Sequence, residues 1–133
     1  MSTARSLSLF FAAGALGGLL NSLVVWLFGD LGINRALGVA IAPPLSAAWL
    51  YPRIVWGGLW GLLLALPLSM GWLARGLTLS LAPSLAQLLV VLPVKAKKGL
   101  FGLELGLLTP VLVLFFNAVW GIVASWWARG TRA

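Results

Sequence analysis

The stretch 42-APPLSAAWLYPRIVWGGLWG-61 interrupts a chain that is otherwise almost continuously apolar. It places three prolines, an arginine, a tyrosine and three tryptophans between long hydrophobic runs. The adjacent Pro43 and Pro44 remove two backbone N–H donors and clash with the preceding turn of a helix. We therefore expect a broken segment over residues 33–50, which is either re-entrant near residues 36–50 or a strongly kinked span.

The hydrophobic runs around this stretch are long enough to cross a bilayer. The chain has 133 residues, of which 62% are hydrophobic and 8% are charged, and its mean hydropathy is +1.08. A soluble domain carries about 25% charged residues, so the bilayer must solvate most of this chain. Each crossing needs about 20 predominantly apolar residues. The predicted spans are residues 7–28, 54–72, 77–94 and 101–128.

These runs predict one integral membrane domain over residues 1–133, an all-α polytopic transmembrane helical bundle. No run alternates with period two, as the strands of a membrane barrel would. Each span carries a stripe of small residues at helical spacing, and the pairs Gly14 with Gly18 and Gly57 with Gly61 are examples. Such pairs let two helix backbones approach closely. The predicted fold is four main spans plus the broken segment.

Two short segments are predicted to be turns. Tyr51, Pro52 and Arg53 follow the broken segment and are expected to form a tight turn, with Trp49 nearby as an interfacial aromatic residue. Residues 73–76 are too few for anything but a turn, which sets the next span antiparallel to the one before it.

The charge distribution indicates a membrane partner. The net charge is +7, from nine Lys and Arg residues against two acidic residues. Because the cations flank apolar spans, they indicate contact with lipid head groups rather than with nucleic acid. The densest group is Lys95, Lys97 and Lys98, which is either a contact for anionic lipid or plain flanking charge. The lipid bilayer is thus the predicted partner, and we expect this three-lysine loop to face the cytoplasm.

Arg53 is the strongest candidate for a functional residue. An ionisable side chain beside broken backbone at membrane depth indicates a site for an anionic head group or substrate. The alternative is a cation that reaches the interface and stacks on aromatic rings. We expect any site to include the wall formed by Pro43, Pro44 and Arg53.

Glu104 and three amides are further candidates for polar or substrate-facing positions. Glu104 either carries protons or a cation, or stabilises the first turn of a helix through its dipole. Asn21, Asn117 and Gln87 either line a polar path or hydrogen-bond helices to one another. We expect Asn21 and Asn117 to face the bundle interior, because an amide in hydrocarbon needs a partner.

Catalytic and metal chemistry is not predicted. The chain has no Cys and no His, which removes thiolates, the commonest metal ligand and the commonest proton shuttle. It also lacks the spacing of the common phosphate-binding and zinc-protease motifs. We expect a protein that is not an enzyme, with no catalytic residue, cofactor or metal.

Three functional classes remain open from the sequence. The first is an accessory or scaffold component that packs in a larger membrane complex through its glycine-rich helix faces. The second is an oligomeric channel or transporter for a small solute or ion. The third is a lipid-binding membrane protein. The small size and short loops favour a prokaryotic cytoplasmic (inner) membrane.

Overall fold

The computed structural model describes residues 2–130, and over this range the chain is helical with no strand. Five α-helices are connected by 3₁₀ turns, a π-helical stretch and irregular backbone. We call residues Gln87–Lys95, which continue α4 in π-helical geometry, the π segment, and residues 39–46 the strap. The α-helices are α1 Thr3–Asp30, α2 Ile33–Ala36, α3 Ala47–Gly61, α4 Trp72–Ala86 and α5 Thr109–Trp127, and the 3₁₀ turns are Leu62–Ala65 and Leu100–Leu105.

Within residues 2–130, three helices are long and apolar enough to cross a membrane. They are α1 with 28 residues, α4 with the π segment, which total 24 residues, and α5 with 19 residues. This result confirms an all-helical bundle of the kind expected of a membrane protein. α3 is shorter, with 15 residues before its four-residue 3₁₀ turn, so helix length does not establish the predicted count of four spans.

Glycine faces hold α3 against α1. A Cβ atom on Gly57 would lie 2.7 Å from the carbonyl oxygen of Gly14 and 2.9 Å from the Cα of Gly18. The two predicted glycine pairs therefore face each other, and no side chain separates the two backbones. Trp120 of α5 joins this contact, because its indole Nε1 donates to the carbonyl oxygens of Gly14, at 3.1 Å, and Gly57, at 3.2 Å.

The helices lie side by side in the order α3, α1, α5 and α4. α4 packs on α5 through Gly76 and Gly121, and α5 packs on α1. α3 packs mainly on α1, and among the described residues it makes no comparable contact with α4 or α5. α3 and α4 therefore lie at opposite ends of this row and do not pack against each other along their lengths.

The prediction of a turn at Tyr51 to Arg53 was wrong, because α3 begins at Ala47 rather than at residue 54. The Ser46 hydroxyl accepts a hydrogen bond from the backbone N–H of Trp49 at 3.2 Å and caps the helix directly after the strap. Pro52 is accommodated within the second turn. As a result, Trp49 and Arg53 are four residues apart on one helix and lie on the same face.

The predicted boundaries of the next two helices were also wrong. The helix predicted to run to residue 72 changes to 3₁₀ geometry after Gly61 and gives way to irregular backbone near Pro67. Residues 73–76 belong to α4, which begins at Trp72 rather than at residue 77. The connection between the helices is instead residues 66–71, where Pro67 lacks the N–H that a continuing helix needs.

The last helix begins later than predicted. Phe101 and Gly102 have positive φ angles of 59° and 69°, so no α-helix can run through them. α5 begins at Thr109 rather than at residue 101, and Pro110 lies in its first turn, where the missing N–H costs nothing. Glu104 is therefore exposed in a 3₁₀ turn and does not occupy the first turn of α5.

The backbone is broken at the double proline, as predicted, but residues 37–46 form neither a half-helix nor a kinked helix. The chain leaves α2 at Ala36 and runs without regular structure over residues 39–46. Its backbone is held at two points: Ala40 N–H donates to the carbonyl of Leu105 at 2.8 Å, and Asn34 Nδ2 donates to the carbonyl of Ile41 at 2.8 Å. These bonds replace part of the hydrogen bonding that a helix would have provided.

Candidate functional site

A cavity of about 330 Å³ lies under the strap, where α1, α3, α5 and the π segment meet. Four residues singled out in the sequence line it: Asn21, Pro43, Arg53 and Gln87. The structure thus brings together side chains that are up to 66 positions apart in the chain, as the difference between 87 and 21 gives. The other lining residues are Val25, Ala40, Ile41, Ala42, Trp49, Val113 and Phe116.

Arg53 is held by two residues of α1. Its Nε donates to the Ser22 hydroxyl at 2.8 Å, and its Nη2 donates to Asn21 Oδ1 at 2.8 Å. Its guanidinium carbon lies 4.8 Å from the centre of the Trp49 ring, so the indole supports the cation from one side. Gly18 permits this approach, since a Cβ atom there would lie 2.8 Å from the carbonyl oxygen of Arg53.

The two hydrogen bonds use one edge of the guanidinium and leave another. Nε and one N–H of Nη2 form the side-on edge, which α1 occupies. The end-on edge consists of Nη1 and the second N–H of Nη2, and it has no hydrogen-bond partner among residues 2–130. An edge of this kind matches the paired oxygens of a carboxylate or phosphate.

The orientation of Asn21 follows from the chemistry of its partners. Its Nδ2 donates to the backbone carbonyl of Phe116 at 2.6 Å, and that oxygen can only accept. Its Oδ1 must then face Arg53, which can only donate. Asn21 is 6% exposed, so it lies in the bundle interior as predicted.

A second chain of hydrogen bonds fixes Gln87. The Ser84 hydroxyl donates to the carbonyl of Ser80 at 2.8 Å, so its oxygen accepts from Asn117 Nδ2 at 3.2 Å. The same Nδ2 donates to Gln87 Oε1 at 3.3 Å. Asn117 therefore faces the interior and holds Gln87 by its oxygen, which leaves the Gln87 amide N–H groups as donors at the cavity.

The cavity is positive and rich in donors. Its lining residues include one charged group, Arg53, and no carboxylate. The chain has only two acidic residues, Asp30 and Glu104, and neither lines the cavity. A guanidinium that is partly removed from water is costly without a counter-charge. The arrangement is therefore suited to bind an oxyanion.

The remaining predicted site residues lie elsewhere. Pro44 is exposed on the strap, beside the lining residue Pro43, and Glu104 is exposed in the 3₁₀ turn. The three-lysine loop is fully on the surface, and none of its lysines reaches the cavity: Lys95, Lys97 and Lys98. The predicted wall thus contributes Pro43 and Arg53 but not Pro44.

Sequence reasoning missed two residues of this site. Ser22 was not singled out, although it directly follows Asn21 and, like Asn21, accepts a hydrogen bond from Arg53 of α3. Trp49 was assigned only to the interface, because the predicted turn hid its four-residue spacing from Arg53. Arg75 was also overlooked: it is 1% exposed and lines a second cavity formed by residues 64–71 near the other end of the bundle.

Comparisons of the chain with protein-family models, curated proteins and solved structures found no match. The class of protein therefore rests on the fold and the cavity. The apolar helices indicate a small helical membrane protein, and the cavity within it presents a fixed arginine.

Proposed function

We propose that this protein is an integral membrane protein that binds the anionic head group of a membrane lipid at Arg53. The observation that supports the proposal most is the free end-on edge of the Arg53 guanidinium in a cavity whose lining has no carboxylate. The proposal also includes four membrane spans and a location in a prokaryotic cytoplasmic membrane. α3 with its 3₁₀ turn is the fourth span, since their combined rise of roughly 30 Å matches the hydrocarbon thickness.

The depth of the site calls for a counter-charge beside Arg53. Asn21 lies about 5 Å along the helix axis from the middle of the apolar run over residues 7–28, at 1.5 Å per residue. A cation at this depth is expensive unless it meets an anion or water. A lipid phosphate drawn toward Arg53 provides that counter-charge.

The packing of the helices supports entry of a lipid into the cavity from the bilayer. The cavity is flanked by α3 and the π segment, and these two elements do not pack against each other along their lengths within the described range. Apolar side chains such as Ile41, Val113 and Phe116 line the cavity beside the polar groups. A ligand with an anionic head and an apolar body fits both features.

The other two functions from the sequence are less well supported. The glycine faces that suggested a scaffold are used inside the chain, between α1 and α3 and between α4 and α5. Transport would need passage between the cavity at Arg53 and the one at Arg75. An apolar cluster that includes Phe10, Leu64 and Trp120 fills the bundle between them.

The proposal is tested by native mass spectrometry of protein purified in mild detergent. The wild type is expected to retain about one phosphatidylglycerol molecule per chain from vesicles that contain it. Arg53→Gln removes the charge and the guanidinium and leaves a shorter polar side chain, and it is expected to lose this lipid. Arg35→Gln is the matched control, because Arg35 is exposed on α2 and outside the cavity.

The control separates specific binding from general attraction to anionic lipid. Equal retention in wild type and Arg53→Gln would refute the proposal. Equal loss in Arg53→Gln and Arg35→Gln would also refute it, because it would mean that net charge alone retains the lipid. A circular dichroism spectrum that matches the wild type is the check that each variant is folded.

A further inference from the structure

We infer that the cavity selects a singly charged oxyanion, and that the lipid it takes is a phosphodiester rather than a phosphomonoester dianion. This inference rests on the proposed lipid-binding function and adds the charge state of the ligand. It follows from the number of charges at the cavity and from the geometry of the donors that remain.

The charge at the cavity balances one negative charge. Arg53 is the single charged residue among the lining residues. A bound monoanion makes the site neutral, whereas a dianion leaves one negative charge without a partner in a medium of low dielectric constant. The second charge of a phosphomonoester is therefore penalised at this site, although it strengthens binding to a site with several cations.

Within the described residues, no titratable group other than Arg53 lines the cavity to compensate this second charge. Apart from Arg53, the charged or titratable residues on the surrounding elements lie outside the cavity lining, so none of them adds a charge at the ligand. These residues are Arg5 and Asp30 on α1, Arg35 on α2, Tyr51 on α3, Lys95 on the π segment, and Lys97, Lys98 and Glu104 in the following loop.

The free donors match two oxygens. The end-on edge of Arg53 presents two nearly parallel N–H groups, which pair with the two non-bridging oxygens of a phosphodiester. Gln87, which also lines the cavity, adds the neutral donors of its Nε2. A phosphomonoester has a third terminal oxygen, and among residues 2–130 no second cation lines the cavity to meet it.

The test is competition between phosphatidylglycerol and phosphatidic acid with identical acyl chains, offered in equal amounts to the full-length protein. Phosphatidic acid gains its second charge as the pH rises past the second pKa of its phosphate, about 6 for a monoester in water, whereas phosphatidylglycerol stays a monoanion. The ratio of retained phosphatidylglycerol to phosphatidic acid is expected to rise roughly tenfold from pH 5 to pH 9. Mass spectrometry of the lipids extracted after gel filtration measures this ratio.

The outcomes distinguish a failure of the charge selectivity from a failure of lipid binding. A ratio that is independent of pH, with both lipids lost in Arg53→Gln, overturns the charge selectivity and leaves lipid binding intact. Retention that Arg53→Gln does not reduce overturns both. Dimethyl phosphate carries the same charged group without acyl chains. If it displaces phosphatidylglycerol at the concentration of the lipid, the ligand is a soluble anion and the lipid assignment fails.

Discussion

The Nη2 atom of Arg53 donates a 2.8 Å hydrogen bond to Oδ1 of Asn21, and this bond joins α3 to α1 at the cavity. Asn21 is itself fixed by its donation to the carbonyl of Phe116 on α5. One amide therefore orients the arginine relative to two other helices. This arrangement keeps the end-on edge of the guanidinium available for a ligand.

Changing Asn21 to Asp is expected to abolish anion binding. The carboxylate would pair with Arg53 at close range and supply the counter-charge that the ligand otherwise provides. We predict a loss of lipid affinity of at least about tenfold in a lipid-retention assay. Ser22→Ala is the matched variant, since it removes one acceptor from Arg53 and keeps the charge balance. It should reduce affinity only a few-fold, and an equal loss in both variants would contradict the electrostatic explanation.

Gly57→Ala is expected to destabilise the fold. Its Cβ atom would meet the backbone of Gly14 and Gly18, so α1 and α3 must separate. Overpacking of this kind costs about 1–3 kcal/mol in the free energy of unfolding. Thermal unfolding in detergent measures the change. Gly71→Ala is the control, because Gly71 has open space around it and a φ of −63°, and this variant should lose much less stability than Gly57→Ala.

Trp120→Phe is expected to weaken the junction of three helices. The change removes the indole N–H that donates to the carbonyls of Gly14 and Gly57 and keeps an aromatic ring in place. The expected cost is about 1 kcal/mol in unfolding free energy. Trp127→Phe alters an exposed tryptophan, and it should have no effect on unfolding. Equal stability of both variants would show that the two hydrogen bonds contribute nothing.

The three-lysine loop is expected to face the cytoplasm. With the four spans proposed above, and with Arg53 and Arg75 held within the bundle, the exposed cations of residues 2–130 divide between the two sides. The side of this loop has Arg35 and three lysines, and the other side has Arg5 and Arg129. Positive residues favour the cytoplasmic side. The natural chain has no cysteine, so single-cysteine variants report position without further changes.

A membrane-impermeant maleimide applied to intact cells measures this orientation. Thr3→Cys should react, and Lys97→Cys should react only after the cells are opened. The reverse pattern would place the loop outside the cytoplasm and contradict the prediction.

Much of the fold was predictable because hydrophobicity and small-residue spacing act locally. The glycine pairs at positions 14 and 18 and at 57 and 61 indicated close helix packing, and the double proline indicated a break. The helix boundaries were harder to predict. The cap at Ser46 started α3 early, and positive φ angles near Phe101 delayed α5, and both effects depend on backbone geometry that composition does not show.

The site was predicted in part for the same reason. Arg53, Asn21 and Gln87 were identifiable because polar groups in apolar runs need partners. Their convergence under the strap depends on the tertiary packing of α1, α5 and the π segment, which no local pattern specifies. Glu104 was also singled out, because acidic residues are rare in this sequence. It lies exposed outside the cavity, so its rarity did not indicate a place in this site.

The most direct test of the central claim is the distance between the Arg53 guanidinium and a lipid phosphorus. Solid-state NMR with ¹⁵N-labelled arginine and ³¹P detection measures it in phosphatidylglycerol bilayers. A direct contact predicts a nitrogen–phosphorus distance of about 4 Å. Exposed arginines also meet head groups, so the signal of Arg53 is the component that is missing in Arg53→Gln and retained in Arg35→Gln. The same signal in wild type and Arg53→Gln, or no signal in wild type, would contradict lipid binding at Arg53.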